Sequence, residues 1–287
     1  MMAQRAGGGV LLAVVLTTLA ILAFAGNSLL TRAALADGHL GPATFAGLRL
    51  LSGAITLAAI GLWGAHPVRP GRADLPGIAA LAVYAVAFTF AYVNMGAAAG
   101  ALILFAMVQL TMAAVATLQG QRPRGLEAIG LLVALGGLAW LLAPGLTAPP
   151  LLPALLMAIA GAAWGAYTLF GRGASDPLAA TARNFIGTWP LAVVLLAGLA
   201  FEAPSVRGVV LAVLSGAITS GLGYAIWYAV LPRLTVAIAG CAQLTVPAVA
   251  AIGGALWLGE TITLRLALAS LLILAGVGLT ILGRRQT

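Results

Sequence analysis

The sequence contains very little charge. Of its 287 residues only 7% are Asp, Glu, Lys or Arg, and Lys is absent, whereas roughly a quarter of an average soluble domain is charged. A water-facing surface needs about a third of its residues charged, so fourteen Arg and six acidic residues cannot cover a soluble domain of this length. The scarcity excludes a soluble globular protein and predicts a surface that faces lipid.

Cysteine and histidine are scarce as well. The single cysteine, Cys241, lies in an apolar segment, which excludes a disulfide framework and a Cys-x-x-Cys motif. The two histidines, His39 and His66, lie in polar connections. An intramembrane enzyme would need a His-Glu-x-x-His motif, paired acids or a serine with a histidine inside the helices. We therefore predict no enzymatic activity, no metal site and no cofactor.

Long apolar runs dominate the rest of the chain, because 62% of the residues are hydrophobic. A hydrocarbon core about 30 Å thick is crossed by about 20 helical residues. Ten runs of about that length are present, at residues 10–31, 43–63, 75–95, 98–118, 126–143, 152–170, 183–200, 208–230, 236–258 and 264–282. Short connections with Gly and Pro separate them. The predicted fold class is all-α, a polytopic membrane protein with ten transmembrane helices.

The arginines predict the orientation of the chain, because positive charge in short connections stays on the cytoplasmic side. With a cytoplasmic N-terminus, the cytoplasmic arginines are Arg5, Arg69, Arg72, Arg122, Arg124, Arg172, Arg183, Arg233, Arg284 and Arg285, and the outer ones are Arg32, Arg207 and Arg265. Both termini are therefore predicted in the cytoplasm. The net charge of +8 does not indicate nucleic-acid binding, because the arginines are dispersed singly or in pairs.

An internal repeat is visible in the sequence. The segment from Phe24 to Arg32 matches the segment from Trp164 to Arg172 without gaps, with an aromatic residue at each start and Arg at each end. A second match aligns residues 116–120 with residues 255–259. The two offsets, 140 and 139 residues, are nearly equal. This agreement indicates a duplication.

The duplication predicts two domains, residues 1–143 and residues 144–287, each with five helices. An odd number of helices places the two halves in opposite orientation across the membrane. This inverted repeat is the plan of many secondary transporters, whose substrate site lies between the halves near the midplane.

Several motifs resemble one transporter family. They are Trp164-Gly-Ala-Tyr167, Gln243-Leu-Thr-Val-Pro247, Leu258-Gly-Glu260 and a Gly-rich final helix. They resemble the EamA-type branch of the drug/metabolite transporter superfamily, and within it the bacterial aromatic amino acid exporters. The resemblance implies ten helices, cytoplasmic termini, a place in the bacterial inner membrane and export of metabolites such as amino acids. The sequence departs from a perfect repeat at Gln121, which stands where the second half has Glu260.

Polar residues inside apolar helices are candidates for substrate contacts, since they are costly in lipid unless they pair or face a wet cavity. Arg49 is the only charge well inside a predicted span. It either binds a substrate carboxylate, or it snorkels outward or bonds to backbone carbonyls for structure. Asn27, Gln109 and Gln243 are amides that either bind the substrate or join helices to one another.

Aromatic residues form the second set of candidates. Trp164 and Tyr167 lie near the middle of the sixth predicted helix, where anchoring at a membrane edge does not explain them. Two further pairs are spaced by four residues, which places each pair on one helical face; they are Tyr84 with Phe88 and Tyr224 with Tyr228. A wall of rings with a few polar groups suits a substrate that is apolar at one end and zwitterionic at the other.

Two prolines and the placement of the acids complete the prediction. Pro190 and Pro247 interrupt the seventh and ninth predicted helices as hinges or as static kinks. All six acids lie in connections or at helix ends, whereas a proton-coupled exporter of cations typically has a carboxylate within the membrane. The placement of the acids therefore predicts facilitated movement of neutral or zwitterionic solutes, coupled to an ion or uncoupled. Together with the rings and the family resemblance, it leads us to predict a monomeric transporter that exports amino acids with large apolar or aromatic side chains by alternating access through a central cavity between the repeats. Export of small hydrophobic drugs or toxic compounds is the alternative.

Overall fold

The structure is a computed structural model that describes most of the chain. It covers residues 2–36, 38–64, 68–121, 123, 125–145, 147–171, 174–234 and 236–283. Several residues used above lie outside this description, namely Asp37, His66, Arg122, Arg124, Arg172, Arg284 and Arg285, together with the side chains of Arg5 and Cys241.

The described residues form helices and no strands, which confirms the predicted all-α class. The helices are α1 (Met2–Leu35), α2 (Pro42–Trp63), α3 (Leu75–Ala91), α4 (Ala97–Leu118), α5 (Leu126–Leu142), α6 (Leu151–Gly171), α7 (Pro177–Gly187), α8 (Trp189–Leu196), α9 (Val206–Leu214), α10 (Gly223–Val230), α11 (Val236–Gln243), α12 (Val246–Leu258) and α13 (Leu264–Gly283). Three short 3₁₀ turns and one π-helical segment, Ser215–Leu222, join some of them.

Within the described ranges, eight helical segments are long and apolar enough to cross a membrane. They are Leu11–Leu35, Pro42–Trp63, Arg72–Ala91, Ala97–Leu118, Leu151–Gly171, Pro177–Phe201, Val206–Arg233 and Leu264–Gly283. The fifth and ninth predicted spans are shorter. α5 ends at Leu142, just before Pro144, which cannot continue a helix. The ninth apolar run is divided into α11 and α12.

The outer surface of the bundle is apolar. Leu11, Val14 and Leu22 on α1 are at least half exposed, as are Val193 and Val194 on α8. Soluble monomers rarely expose apolar patches of this extent. The exposed side chains are therefore those that contact lipid, and the chain is a multi-pass membrane protein.

Both predicted hinge prolines stand at helix breaks. Pro190 lies at the start of α8, after a break at Thr188, and Pro247 lies at the start of α12, after a break at Thr245. The Thr188 hydroxyl donates to the Phe185 carbonyl at 2.7 Å, and the Thr245 hydroxyl donates to the carbonyl three residues before it at the same distance. The two breaks thus share one Thr-x-Pro construction, in which a side chain bonds a carbonyl at the helix end.

Glycine allows α5 and α13 to pack with their backbones in contact. A Cβ added to Gly130 would lie 2.4 Å from the Gly276 carbonyl oxygen, and one added to Gly276 would lie 2.5 Å from the Ala134 nitrogen. A Cβ on Gly283 would lie 2.3 Å from the Glu127 nitrogen. Small residues at regular intervals permit this close approach, which stabilises helix pairs in membranes by van der Waals contact.

We expect Gly276→Ala to destabilise the protein, because its new methyl group would meet the backbone of α5. Gly278→Ala is the matched control, since a Cβ at Gly278 meets no atom within 4 Å and both substitutions gain the same helix propensity. The expected difference between the two variants is about 2 kcal/mol. Thermal unfolding of the detergent-solubilised variants measures it, and equal stability would contradict the backbone contact.

Candidate functional site

Arg49 lies inside the bundle and not at its surface. It is on α2, seven residues after Pro42, and its side chain is only 1% exposed. Its Nη2 donates to the Tyr84 hydroxyl at 3.0 Å and its Nε donates to the Ser220 hydroxyl at 3.3 Å. The guanidinium also lies 4.7 Å from the ring centroid of Phe88. One alternative for Arg49 was that it snorkels outward or bonds to backbone carbonyls. In the structure it is buried, and its hydrogen bonds go to side-chain hydroxyl groups.

The charge of Arg49 has no carboxylate partner among the described residues. Its Nη1 is buried and makes no hydrogen bond. The described acids all lie at or beside helix ends, at Asp74, Glu127, Asp176, Glu202 and Glu260. Burying a cation without a counter-charge is costly, so this guanidinium is a site where an anion would be stabilised.

Asn27 organises the polar groups around Arg49. Its Nδ2 donates to the Tyr84 hydroxyl at 3.2 Å, so Tyr84 accepts from both Asn27 and Arg49. Its Oδ1 accepts from the Ser215 hydroxyl at 2.7 Å and from the Thr219 hydroxyl at 3.4 Å. Asn27 on α1 thus connects α3 to the π-helical segment.

The π-helical segment supplies three of these hydroxyls, which sequence reasoning missed. Ser215 and Thr219 contact Asn27, and Ser220 contacts Arg49. The segment approaches α2 closely, because a Cβ on Gly216 would lie 2.2 Å from the Arg49 carbonyl oxygen. The detectable signal was a cluster of hydroxyl residues within an apolar span, and π-helical geometry is itself frequent at functional sites.

Five aromatic rings form a continuous line through the bundle, which we call the ring column. In order they are Tyr92, Phe88, Tyr84, Trp164 and Tyr167. The successive centroid distances are 4.7, 5.2, 4.9 and 5.2 Å. These separations fall in the range of favourable ring contacts. The column therefore joins α3 to α6 and passes the Arg49 guanidinium at Phe88 and Tyr84.

Trp164 is the junction of the ring column. Tyr224 on α10 contacts it at 5.1 Å and in turn contacts Phe185 and Phe24, both at 5.8 Å. Tyr84, Tyr167 and Tyr224 are each at most 3% exposed, whereas Trp164 at their centre is only half-buried. Trp164 and Tyr224 each contact three rings, and of these two junction residues Trp164 is the one with accessible surface.

The structure brings most of the sequence-predicted site residues into one connected cluster. Hydrogen bonds or ring contacts link Asn27, Arg49, Tyr84, Phe88, Trp164, Tyr167 and Tyr224. Tyr228 is half-buried and packs against the surrounding core. Gln109 on α4 and Gln243 at the end of α11 are half-buried, and the hydrogen bonds of the cluster run through other side chains, so their substrate roles stay predictions.

Beyond Tyr167 the cluster continues onto α7. The Tyr167 hydroxyl donates to the Thr181 hydroxyl at 3.3 Å. Asn184 lies three residues further along α7, on the same helical face, and is 8% exposed. Its Oδ1 is buried without a hydrogen-bond partner. Sequence reasoning passed over Asn184 because it lies near the predicted start of the seventh span.

One end of the bundle, which we call the Glu260 end, is held by the carboxylate of Glu260. It accepts two hydrogen bonds from the Ala97 N–H at the start of α4, at 3.0 and 2.8 Å. It also lies 3.4 Å from the Arg32 Nε. Gly259 ends α12 in the left-handed region at φ +66°, and this turn directs Glu260 toward α4. The carboxylate is favourable there because the N-terminus of a helix attracts negative charge.

The ring column begins beside this ion pair. The Arg32 Nη1 donates to the carbonyls of Tyr92 and Val93, at 3.0 and 2.8 Å. A cavity of about 480 Å³ adjoins Arg32 and Glu260, with Thr147, Thr261 and Thr263 among its lining residues. A cavity of this size can hold a small molecule. It forms a vestibule at the Glu260 end of the bundle.

A second ion pair lies at the opposite end, which we call the Asp74 end. The Arg183 Nε lies 3.0 Å from Oδ1 and 3.1 Å from Oδ2 of Asp74. Asp74 precedes α3 and Arg183 is on α7, so this pair joins the first half of the chain to the second. The Arg32–Glu260 pair does the same at the other end. The column is thus bracketed at both ends by contacts between the two halves.

Comparison with known proteins agrees with this architecture. The family model described as EamA-like transporter family matches residues 151–282. Uncharacterized protein PA1977 of Pseudomonas aeruginosa is 50% identical over 272 residues, which cover 94% of each chain. A solved crystal structure superimposes with a TM-score of 0.66 at 21% identity, covering 95% of this chain and 99% of the other, and so shares its fold.

These matches confirm the resemblance drawn from the motifs at Trp164, Gln243 and Glu260, and they are consistent with the drug/metabolite transporter superfamily. The chain belongs to the EamA-like transporter family.

Proposed function

We propose that this protein exports amino acids with large apolar or aromatic side chains across the bacterial inner membrane. One observation carries the proposal. Arg49 is a buried cation with an unpartnered Nη1, and it lies beside the aromatic rings of Tyr84 and Phe88. A substrate carboxylate supplies the missing counter-charge through a charge-assisted hydrogen bond, while the rings pack the apolar part of the same molecule.

The alternative cargo, a small hydrophobic drug, fits the rings but not the cation. Ring faces bind many apolar molecules, and cationic drugs would be repelled by Arg49. A neutral drug would supply no counter-charge to the guanidinium, whose Nη1 makes no hydrogen bond to the described residues. An anionic head group with an apolar body uses both parts of the site.

The chain is proposed to cross the membrane ten times, in two inverted repeats at residues 1–143 and 144–287. The packing of the helices supports this. α1 packs against α10 and α12, and α6 packs against α3 and α4. In the proposed repeat α1 corresponds to α6, α10 corresponds to α3 and α12 corresponds to α4. The two sets of contacts are therefore equivalent in the two halves.

The turns at the aligned positions support the duplication as well. Gly120 and Gly259 both have positive φ, at +89° and +66°. The positions that follow them differ. Gln121 is exposed, whereas Glu260 contacts α4.

The Asp74 end is proposed to face the cytoplasm. Arg69 and Arg72 precede Asp74 in the connection before α3, and Arg183 pairs with Asp74. Excess positive charge in short connections marks the cytoplasmic side. With this orientation the termini lie in the cytoplasm and the vestibule opens outward. We also propose that the protein works as a monomer in the bilayer.

The two ion pairs support the proposal of alternating access. With Arg32–Glu260 and Asp74–Arg183 both formed, the two halves of the chain are joined at each end. Substrate enters and leaves when one pair separates while the other holds. The helix breaks before Pro190 and Pro247 provide places where α8 and α12 can change direction.

Arg49→Gln is expected to weaken binding of L-phenylalanine at least tenfold, a factor that corresponds to about 1.4 kcal/mol. Binding of phenethylamine, a cation that lacks the carboxylate, should not weaken, because loss of Arg49 also removes its repulsion of the ammonium group. Calorimetric titration of the purified variant measures both ligands, with Arg207→Gln at the end of the bundle as control. Equal weakening of both ligands would assign Arg49 a structural role and remove the basis of the proposal.

Trp164→Ala is expected to reduce transport of aromatic amino acids by roughly tenfold or more, because several ring contacts are lost at once. Trp63→Ala removes the same ring from a position at the end of α2 where the residue is 95% exposed, and should leave the rate near that of the parent. Counterflow in proteoliposomes at equal protein content measures both. Similar rates in the two variants would remove Trp164 from the pathway.

Glu260→Gln is expected to favour opening of the Glu260 end, because it removes the charge that holds Arg32 and the start of α4. A Ser28→Cys probe reports this, since Ser28 is buried one helical turn before Arg32. In a Cys241→Ser background, modification of the probe by an external, membrane-impermeant thiol reagent should become several-fold faster. Asp74→Asn weakens the opposite end and should not accelerate it. Equal acceleration by both changes would contradict separate gates.

A further inference from the structure

We infer that Asn184 is a specificity-determining residue that accepts a hydrogen bond from the far end of an aromatic substrate. The inference rests on the proposed function, in which the substrate carboxylate binds Arg49. It names a narrower ligand class, aromatic amino acids whose ring carries a donor, such as a phenol hydroxyl or an indole N–H. The observation behind it is the buried Oδ1 of Asn184, which has no hydrogen-bond partner.

The amide of Asn184 is held in a defined place between two helices. A Cβ added to Gly77 on α3 would lie 2.7 Å from its Nδ2 and 2.9 Å from its Oδ1. The amide therefore rests against the α3 backbone, and only glycine leaves it room. On the other side, Thr181 lies one turn away on α7 and receives the Tyr167 hydroxyl. Asn184 thus adjoins the last ring of the ring column.

The separation along α3 of the residues that Asn184 and Arg49 contact suits one extended substrate. The Arg49 guanidinium bonds the hydroxyl of Tyr84, and Tyr84 lies seven residues along α3 from Gly77, which the Asn184 amide contacts. Seven residues of helix correspond to about 10 Å. An aromatic amino acid, extended and hydrogen-bonded at both ends, covers such a span with its ring beside Trp164.

The two unpartnered atoms are chemically complementary to that substrate. Arg49 offers a donor for the carboxylate beside Phe88 and Tyr84, in the middle of the ring column. Asn184 offers an acceptor for a ring donor at the Tyr167 end. A buried polar group that only one of two analogues can satisfy discriminates strongly between them, because the other analogue leaves it desolvated and unpaired. The site should therefore prefer tyrosine and tryptophan to phenylalanine.

The test is the ratio of kcat/KM for tyrosine to that for phenylalanine, measured in proteoliposomes. The parent protein should favour tyrosine by about tenfold. Asn184→Leu keeps the volume of the side chain and removes the acceptor, so the ratio should fall to about one while phenylalanine is still carried. Asn184→Ala adds no atom that could clash and should give the same result. Gln119→Leu, a change at an exposed amide at the end of α4, should leave the ratio at its parent value.

The outcomes separate this inference from the proposed function. If the parent carries both amino acids with equal kcat/KM, or if the Asn184 variants keep the parent ratio, the inference is wrong and amino acid export stands. If the variants lose both substrates in equal proportion, Asn184 supports the fold only, and the inference again fails. If the parent carries neither substrate, the proposed function fails, and the inference fails with it.

Discussion

The organisation of this protein depends on keeping one guanidinium inside an apolar bundle. A free ion in such an environment is strongly destabilised, and among the described residues no carboxylate reaches Arg49. Hydroxyl groups and ring faces replace the counter-charge, through Ser220, Tyr84 and Phe88. This requirement explains why the π-helical segment, Asn27 and the ring column converge on the same place.

The carboxylates of the chain serve the opposite purpose, because they act at the ends of helices. Glu260 accepts from the N–H of Ala97, and Glu202 accepts from the N–H of Gly41. In each case a residue from the second half of the chain caps a helix of the first half. Negative charge at a helix N-terminus is favourable, so the acids hold the two halves together without entering the region of Arg49. The buried charge of Arg49 is therefore separated from the described carboxylates, two of which pair with Arg32 and Arg183 at the ends of the bundle.

The sequence predicted the helices and the rings well, for physical reasons. Bilayer thickness dictates the length of apolar runs, so most spans could be read from composition. The spacing of Tyr84 and Phe88 placed them on one face, and both now lie in the ring column. The helix breaks at Thr188 and Thr245 were also indicated, because proline removes a backbone donor.

The remaining features depend on contacts that a single sequence does not specify. Glu260 was recognised as part of a motif, yet its partner Ala97 lies 163 residues away. Asn184 and the hydroxyls of the π-helical segment are small polar residues of a kind that often bond within their own helix, and only the packing of α3 and α2 against them reveals their role. Gln109 and Gln243, which looked equally suitable in the sequence, lie outside the hydrogen-bonded cluster.

The backbone contact between α5 and α13 has a mechanical meaning. A gap of about 0.5–1 Å already removes roughly a quarter to a half of the van der Waals attraction, so moving apart the two helices that meet at Gly130 and Gly276 is costly. We therefore expect α5 and α13 to keep their relative position during transport. The ring column contains no residue from either helix. Motion during a transport cycle is then confined to the remaining helices, which turn against a fixed support.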